Sequence, residues 1–441
     1  MRISQLVFFG IFFIGISPTE AQEKTSLTLD EAIHLAWTKS NEIILANNKV
    51  NSKKYELQSV KNNQYPDFKI SGQYQRLANA SVNLKINTGS SAQAPPDVNQ
   101  LMMAQVNASL PVFAGFRIQN NIRISENLYQ AETATALQTK DEIALKVIEF
   151  YADLYKAQKT LELLKENQKS AEQRVVDFTA LEKNGIIPRN DLLRSQLQLS
   201  KIQLSIDGTN KNLKLINFSL VTLLKLAPET ALEVKESDFL NFQMDNIPTD
   251  DQPALENRKD LEALQFQGKA SQNNIKVAQS AYYPSIAIIG GYTTLDLKNV
   301  ITVQNAMNFG VGISYDLGAI LKNRALVKLA ESKSFEVQNS KEMLTDYIKI
   351  QVQDAIENYN LALTQSLVYG QAVEQASENY RIIKDKYDYG LSDTNDLLEA
   401  DVEQLESKIN KALAKANIIQ KYYELLSVTG QLSQSFNSSK I

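Results

Sequence analysis

Cysteine is absent from the 441-residue sequence, histidine is reduced to His34 and tryptophan to Trp37, and glycine and proline number only 16 and 10. Without cysteine there is no disulfide framework, no thiolate nucleophile and no Cys-ligated zinc or iron–sulfur centre. One histidine excludes a His-rich metal site and leaves a single candidate for a His-based triad. His34 sits beside Trp37 with no nucleophile pattern around it, which reads as a structural histidine. A net charge of −4 argues against a nucleic-acid partner, which needs a basic footprint. No apolar run of 18 residues follows residue 21, so no helix is expected to cross a bilayer. Scarce glycine and proline suit a chain built mostly of long helices. The composition points to architecture rather than to catalysis or cofactors.

Residues 1–21 read as an export signal. Arg2 supplies a basic start, Leu6–Ile16 is an apolar run, Pro18 breaks it, and Thr19-Glu20-Ala21 offers a cleavage site. The expected mature chain is secreted, and if it crosses a membrane it does so as strands.

Beyond that segment the sequence repeats itself. Asn184-Gly185 through Asp191-Leu192-Leu193 aligns with Tyr389-Gly390 through Asp396-Leu397-Leu398 at an offset of 205. Met102–Ser109 aligns with Met307–Ser314 at the same offset, whereas Gln64-Tyr65-Pro66-Asp67 aligns with Tyr282-Tyr283-Pro284-Ser285 at 218. The discrepancy falls inside one segment, 77–101 against 293–306, rich in loop residues, where indels collect. The expected organisation is repeat 1 at 22–227, a linker at 228–257, repeat 2 at 258–430 and a polar tail at 431–441.

Each repeat carries two alternating segments, about 67–76 and 102–112, then about 285–293 and 306–317. Phe68, Ile70, Gly72 and Tyr74 alternate with Lys69, Ser71, Gln73 and Gln75, and Met307, Phe309, Val311 and Ile313 alternate with Asn308, Gly310, Gly312 and Ser314. Such period-2 segments match transmembrane strands, although a soluble hairpin with one wet face would alternate too. Four strands cannot close a barrel, and open edges do not survive in lipid, so membrane strands here require several chains to share one barrel.

The remainder reads as helix. Thr28-Leu29-Asp30-Glu31 is a capping box. Phe116–Lys183 and Ile320–Asp388 lack proline, and at 1.5 Å per residue each would run to about 100 Å. Leu398, Val402, Leu405, Ile409, Ala412, Ala416, Ile419, Tyr423 and Leu426 keep a heptad rhythm, matched by Val373, Ala376, Tyr380, Ile383 and Tyr387. The pattern predicts an antiparallel helical hairpin.

A signal-like start, a duplicated helix–strand–strand–helix layout and two Gly-x5-Asp-Leu-Leu turns resemble the TolC family of outer-membrane efflux and secretion channels. The resemblance covers essentially the whole mature chain. It implies a mostly helical fold with long antiparallel coiled-coil helices and four transmembrane β-strands per chain. A homotrimer would form one 12-stranded barrel and a periplasmic helical tunnel. It further implies a passive exit duct in the outer membrane, in contact with its lipid. The partners would be a periplasmic adaptor (a membrane fusion protein) and an inner-membrane transporter of RND, ABC or MFS type. By position in the turns, Asn190, Asp191 and Tyr387 correspond to closed-state contacts of the tips, and Gly185 and Gly390 to the turn glycines. Asp396 and Glu399 correspond to an acidic constriction at the entrance. The Arg expected two residues after Gly390 is replaced by Ser392; Arg189 or Lys386 are candidate substitutes. Asp191 and Asp396 would also suit simple helix starts after a tight turn, and for Asp191 one side chain can serve both roles. A soluble periplasmic coiled-coil scaffold is the alternative that export and heptads alone would allow.

Overall fold

A computed structural model describes residues 24–80, 98–240, 242, 244 and 247–437. The expected export segment 1–21 and positions 81–97 of the first loop lie outside the described residues. The chain is mostly helical, with a minor sheet component. Strand β1 (Lys24–Ser26) precedes α1 (Leu29–Lys39) and α2 (Asn41–Asn62), followed by β2 (Asp67–Ala80) and β3 (Val98–Ala114). Helix α3 (Arg117–Lys183) then returns as α4 (Arg189–Leu224), and β4 (Ala231–Glu233), α5 (Ser237–Leu240) and α6 (Gln252–Asn257) connect it to α7 (Lys259–Gln279). Strands β5 (Ser285–Leu297) and β6 (Ile301–Ser314) lead into α8 (Ala319–Asp388), α9 (Thr394–Val428) and α10 (Leu432–Asn437).

The two halves share local details that no periodicity would reveal. Ser40 and Arg258, 218 residues apart, both break a helix in extended geometry, and their amides donate to Ala36 and Ala254. Lys225 and Gly430, 205 apart, both adopt left-handed φ, and the amides after them donate to Val221 and Leu426.

The contacts divide the chain into two units. The first contains residues to 40, 143–246 and 358–423. Its β1 pairs in parallel with β4. Leu164 and Ala171 of α3 pack with Ile202 and Ile206 of α4, and Leu405 and Ile409 of the α9 heptad close on that cluster. Part of the α9 stripe therefore packs on the α3–α4 hairpin and not on α8 alone. Phe239 stacks on Tyr155 and Tyr151, and Tyr151 Oη lies 2.6 Å from Asp238 Oδ2.

The second unit contains 41–142, 247–357 and the described residues from 424. It holds an antiparallel sheet in the order β2-β3-β5-β6. The register stacks Ile70 on Val106, Val106 on Tyr292, and Tyr292 on Met307, so all four alternating patterns converge on one face. That face is bare: Ile70 is 81% exposed and Phe309 86%. Among the described residues, both outer strands, β2 and β6, have one unpaired edge in a single chain. No described helix is long and apolar enough to cross a membrane. The segment expected as a polar tail begins as α10, with Leu432 and Phe436 buried and Asp141 accepting the Ser433 amide at 3.2 Å.

Strand passes into helix at Gly115, whose φ is +58°. A Cβ there would lie 2.5 Å from the Ser280 carbonyl oxygen and 3.0 Å from Tyr283 Cβ. At Gly390, also left-handed at +72°, a Cβ would meet nothing within 4 Å. Gly115→Ala should therefore cost roughly 3 kcal/mol through strain plus overpacking, and Gly390→Ala about 1 kcal/mol through strain alone. Thermal unfolding of both variants measures the difference, and equal losses would refute the packing account.

Candidate functional site

The candidate site is the pair of helical hairpin tips, both in the first unit. At the first, Gly185 (φ +71°) donates to the Glu182 carbonyl at 2.9 Å and Ile186 to that of Leu181 at 2.9 Å. At the second, Gly390 donates to Tyr387 at 2.9 Å and Leu391 to Lys386 at 2.8 Å. These are the paired bonds of a Schellman stop, which satisfies the last helix carbonyls and needs a left-handed residue.

The helix starts after the turns differ. Pro188 occupies the cap position of α4 without a side-chain hydrogen bond. At α9, Asp393 Oδ1 accepts the Asp396 amide at 2.9 Å, so Asp393 is the capping carboxylate and not Asp396. Asp396 Oδ2 instead accepts the Ser392 hydroxyl at 2.8 Å. The residue in place of the expected Arg thus bonds locally to the acidic position. Asp396 and Glu399 are both exposed, one helical turn apart on one face of α9.

Asp191 is half-buried, and Asn190 Nδ2 donates to its Oδ1 at 3.2 Å. Arg189, one candidate substitute for the missing Arg, pairs with Glu182 at 3.5 Å. Tyr387 stacks on Phe178 at 5.8 Å, and its hydroxyl lies 3.4 Å from that of Thr394. Phe178, Leu192 and Leu397 are buried together under both turns, with Tyr380, Ile383 and Tyr387 packed around them. The tips of the two hairpins therefore share one apolar support within a chain, and Arg194 Nη1 bridges them by donating to Asn395 Oδ1 at 3.1 Å.

Below that support lies a buried ion pair that the sequence reading missed. Arg174 of α3 is 9% exposed and Asp401 of α9 5%, with Nη1 to Oδ2 at 3.0 Å. Arg174 Nη2 also reaches Tyr380 Oη at 3.4 Å, and Asn167 Nδ2 reaches Asp401 Oδ1 at 3.4 Å. Burial opposes the Arg174 charge, but the contacts to Asp401 and Tyr380 outweigh it and hold the guanidinium protonated. The only signal in the sequence was an aspartate beside the heptad position Val402. Among the described residues, no cluster of three or more His, Asp or Glu side chains is placed to hold a metal ion.

The model of the outer membrane efflux protein family matches residues 32–224 and 252–431. The chain belongs to that family. It is an outer-membrane efflux channel, the family is one of ducts rather than enzymes, and a soluble periplasmic scaffold is not favoured. No curated protein matches the sequence. Among solved structures, the CmeC outer membrane channel of Campylobacter jejuni is 16% identical, with 99% of this chain and 97% of that chain covered and a TM-score of 0.74. VceC of Vibrio cholerae is 15% identical over 91% and 96%, with a TM-score of 0.76. The open state of the Neisseria gonorrhoeae MtrE channel is 15% identical over 92% and 89%, with a TM-score of 0.74. At such identities the likeness is one of fold.

Removing one member of the buried pair leaves the other charge unpaired. Asp401→Ala should destabilise this efflux channel by about 3–5 kcal/mol, whereas Arg174→Met combined with Asp401→Leu should be close to neutral. Chemical denaturation of both variants distinguishes the two, and a double variant as unstable as the single one would contradict the charge argument.

Proposed function

We propose that three copies of the chain close their sheets into a 12-stranded barrel in the outer membrane, entered from the periplasm through a tunnel of the long helices. The observation that carries this reading is the sheet: a bare apolar face between two unpaired edges. Lipid accepts that face, but unpaired backbone groups in lipid cost several kcal/mol each, so the edges must meet. On this reading, repeats 22–227 and 258–430 each supply two strands and one long hairpin, and residues 228–257 join them. The chain is exported by its first 21 residues.

The tips form the periplasmic entrance. Asp396 and Glu399, exposed on one face of α9, become two carboxylate rings under threefold symmetry. Asn190, Asp191 and Tyr387 make the closed-state contacts, without the guanidinium that Ser392 replaces. A periplasmic adaptor and an inner-membrane transporter of RND, ABC or MFS type deliver the substrate and determine its identity.

Carboxylate rings attract cations and bind multivalent ones. Replacing Asp396 and Glu399 by Asn and Gln should weaken cation selectivity and block by trivalent cations in planar bilayers. Selectivity equal to that of the parent channel would remove the ring from the account, and a monomer by native mass spectrometry would remove the barrel.

A further inference from the structure

At the helix-proximal end of the apolar sheet face, a cavity of about 280 Å³ opens between the start of α3 and the end of α7. Its rim is aromatic. Phe113 pairs with Ile286 on the apolar face and meets the Phe116 ring edge-on at 5.3 Å; Phe116 in turn meets Tyr283 at 6.4 Å. Phe116 holds a left-handed φ of +63° directly after Gly115, a conformation costly for a bulky residue, and is still 55% exposed. Amphipathic and aromatic rings at this level mark the boundary between acyl chains and headgroups.

The polar side of the cavity carries Arg123 and Lys276, both exposed and neither with an ion-pair partner among the described residues. Asn120, 5% exposed, lines the same cavity. Its Nδ2 donates to the Phe116 carbonyl at 3.0 Å, which fixes the amide orientation, and its Oδ1 has no hydrogen-bond partner among the described residues. The site is confined to one repeat. Counted from the glycines at the two strand–helix junctions, Gly115 and Gly318, Asn120 corresponds to Asn323, equally buried but with its Nδ2 donating to the Ala278 carbonyl at 2.6 Å, and Arg123 corresponds to Leu326, so the second half lacks the cation.

We propose that this cavity is a phospholipid headgroup site on the periplasmic side of the membrane sheet. Arg123 and Lys276 bind the phosphodiester, Phe116 and Tyr283 flank the upper acyl chains, and the orphaned Asn120 Oδ1 accepts from a headgroup ammonium or hydroxyl. A headgroup that carries such a donor, ethanolamine or glycerol, is preferred over choline, which has none. This rests on the reading of the sheet as membrane-spanning.

The test is native mass spectrometry of the full chain released from nanodiscs containing equal phosphatidylethanolamine, phosphatidylglycerol and phosphatidylcholine, alongside bilayer conductance. The expected result is retained ethanolamine and glycerol lipids. Arg123→Ala with Lys276→Ala should lower that occupancy about tenfold or more. Asn120→Ala should abolish the preference over choline. Conducting channels that retain no lipid, or whose retained lipid is indifferent to the Arg123 and Lys276 changes, would overturn the headgroup site while leaving the membrane reading intact. Protein that enters no bilayer would overturn both. Occupancy displaced fully by inorganic phosphate would reassign the site to free anions and overturn the lipid proposal.

Discussion

A backbone donor or acceptor without a partner is tolerable in water and expensive in lipid, and the sheet of this channel carries two rows of them. Strands β2 and β6 are both edges, and the face between them is apolar and uncovered. Each strand continues into one long helix, α2 into β2, β3 into α3, α7 into β5 and β6 into α8, through a junction of a few residues. Closing the strands therefore sets the number and spacing of the helices that follow them. In the proposed trimer the sheet edges determine the ring of helices, not the reverse. Lipid requires the edges to join, and the tunnel inherits the symmetry.

The helices need a different source of order. Beyond the capping box and turns, their apolar stripes are shared among three helices, as Leu405 and Ile409 of α9 pack on the α3–α4 pair. Such seams are uniform along their length and fix register weakly, whereas a single buried polar pair can specify it. Arg174 and Asp401, with Tyr380 and Asn167, join three of the helices at one level just behind the tip cluster. The pair sits where a slip of α9 against α3 would misplace Asp396 and Glu399.

How much was legible follows from which signals are local. Alternation in Phe68–Tyr74 and Met307–Ile313 is a property of consecutive residues, and it located the strands. The turn glycines and the Thr28 capping box are likewise short-range, and the structure contains both reciprocal bonds of that box. Strand ends were not legible, because β3 and β5 extend through bulges at Pro111/Phe113 and Thr293/Leu295 that tolerate residues outside the alternating pattern. Arg174–Asp401 spans 227 positions, and nothing near either residue names the other. The cavity beside Asn120 is assembled by the α3–α7 junction and was invisible for the same reason.

On the proposed two-repeat reading, the departures from symmetry are informative. The two tip turns share their Schellman bonds, since both need the same chain reversal, but only the second has a capping aspartate at its helix start. Asp393, Asp396 and Glu399 thus gather on one tip, while the first presents Pro188, Arg189 and Asn190 before its single Asp191. At the proposed membrane end the bias reverses: Arg123 and Lys276 have no ion-pair partner among the described residues, and the position equivalent to Arg123 in the second half is Leu326. A copied unit needs one scaffold twice but each ligand-facing charge once. Carboxylates sit at the tip where the proposed cargo enters, and unpaired cations sit where the proposed bilayer begins.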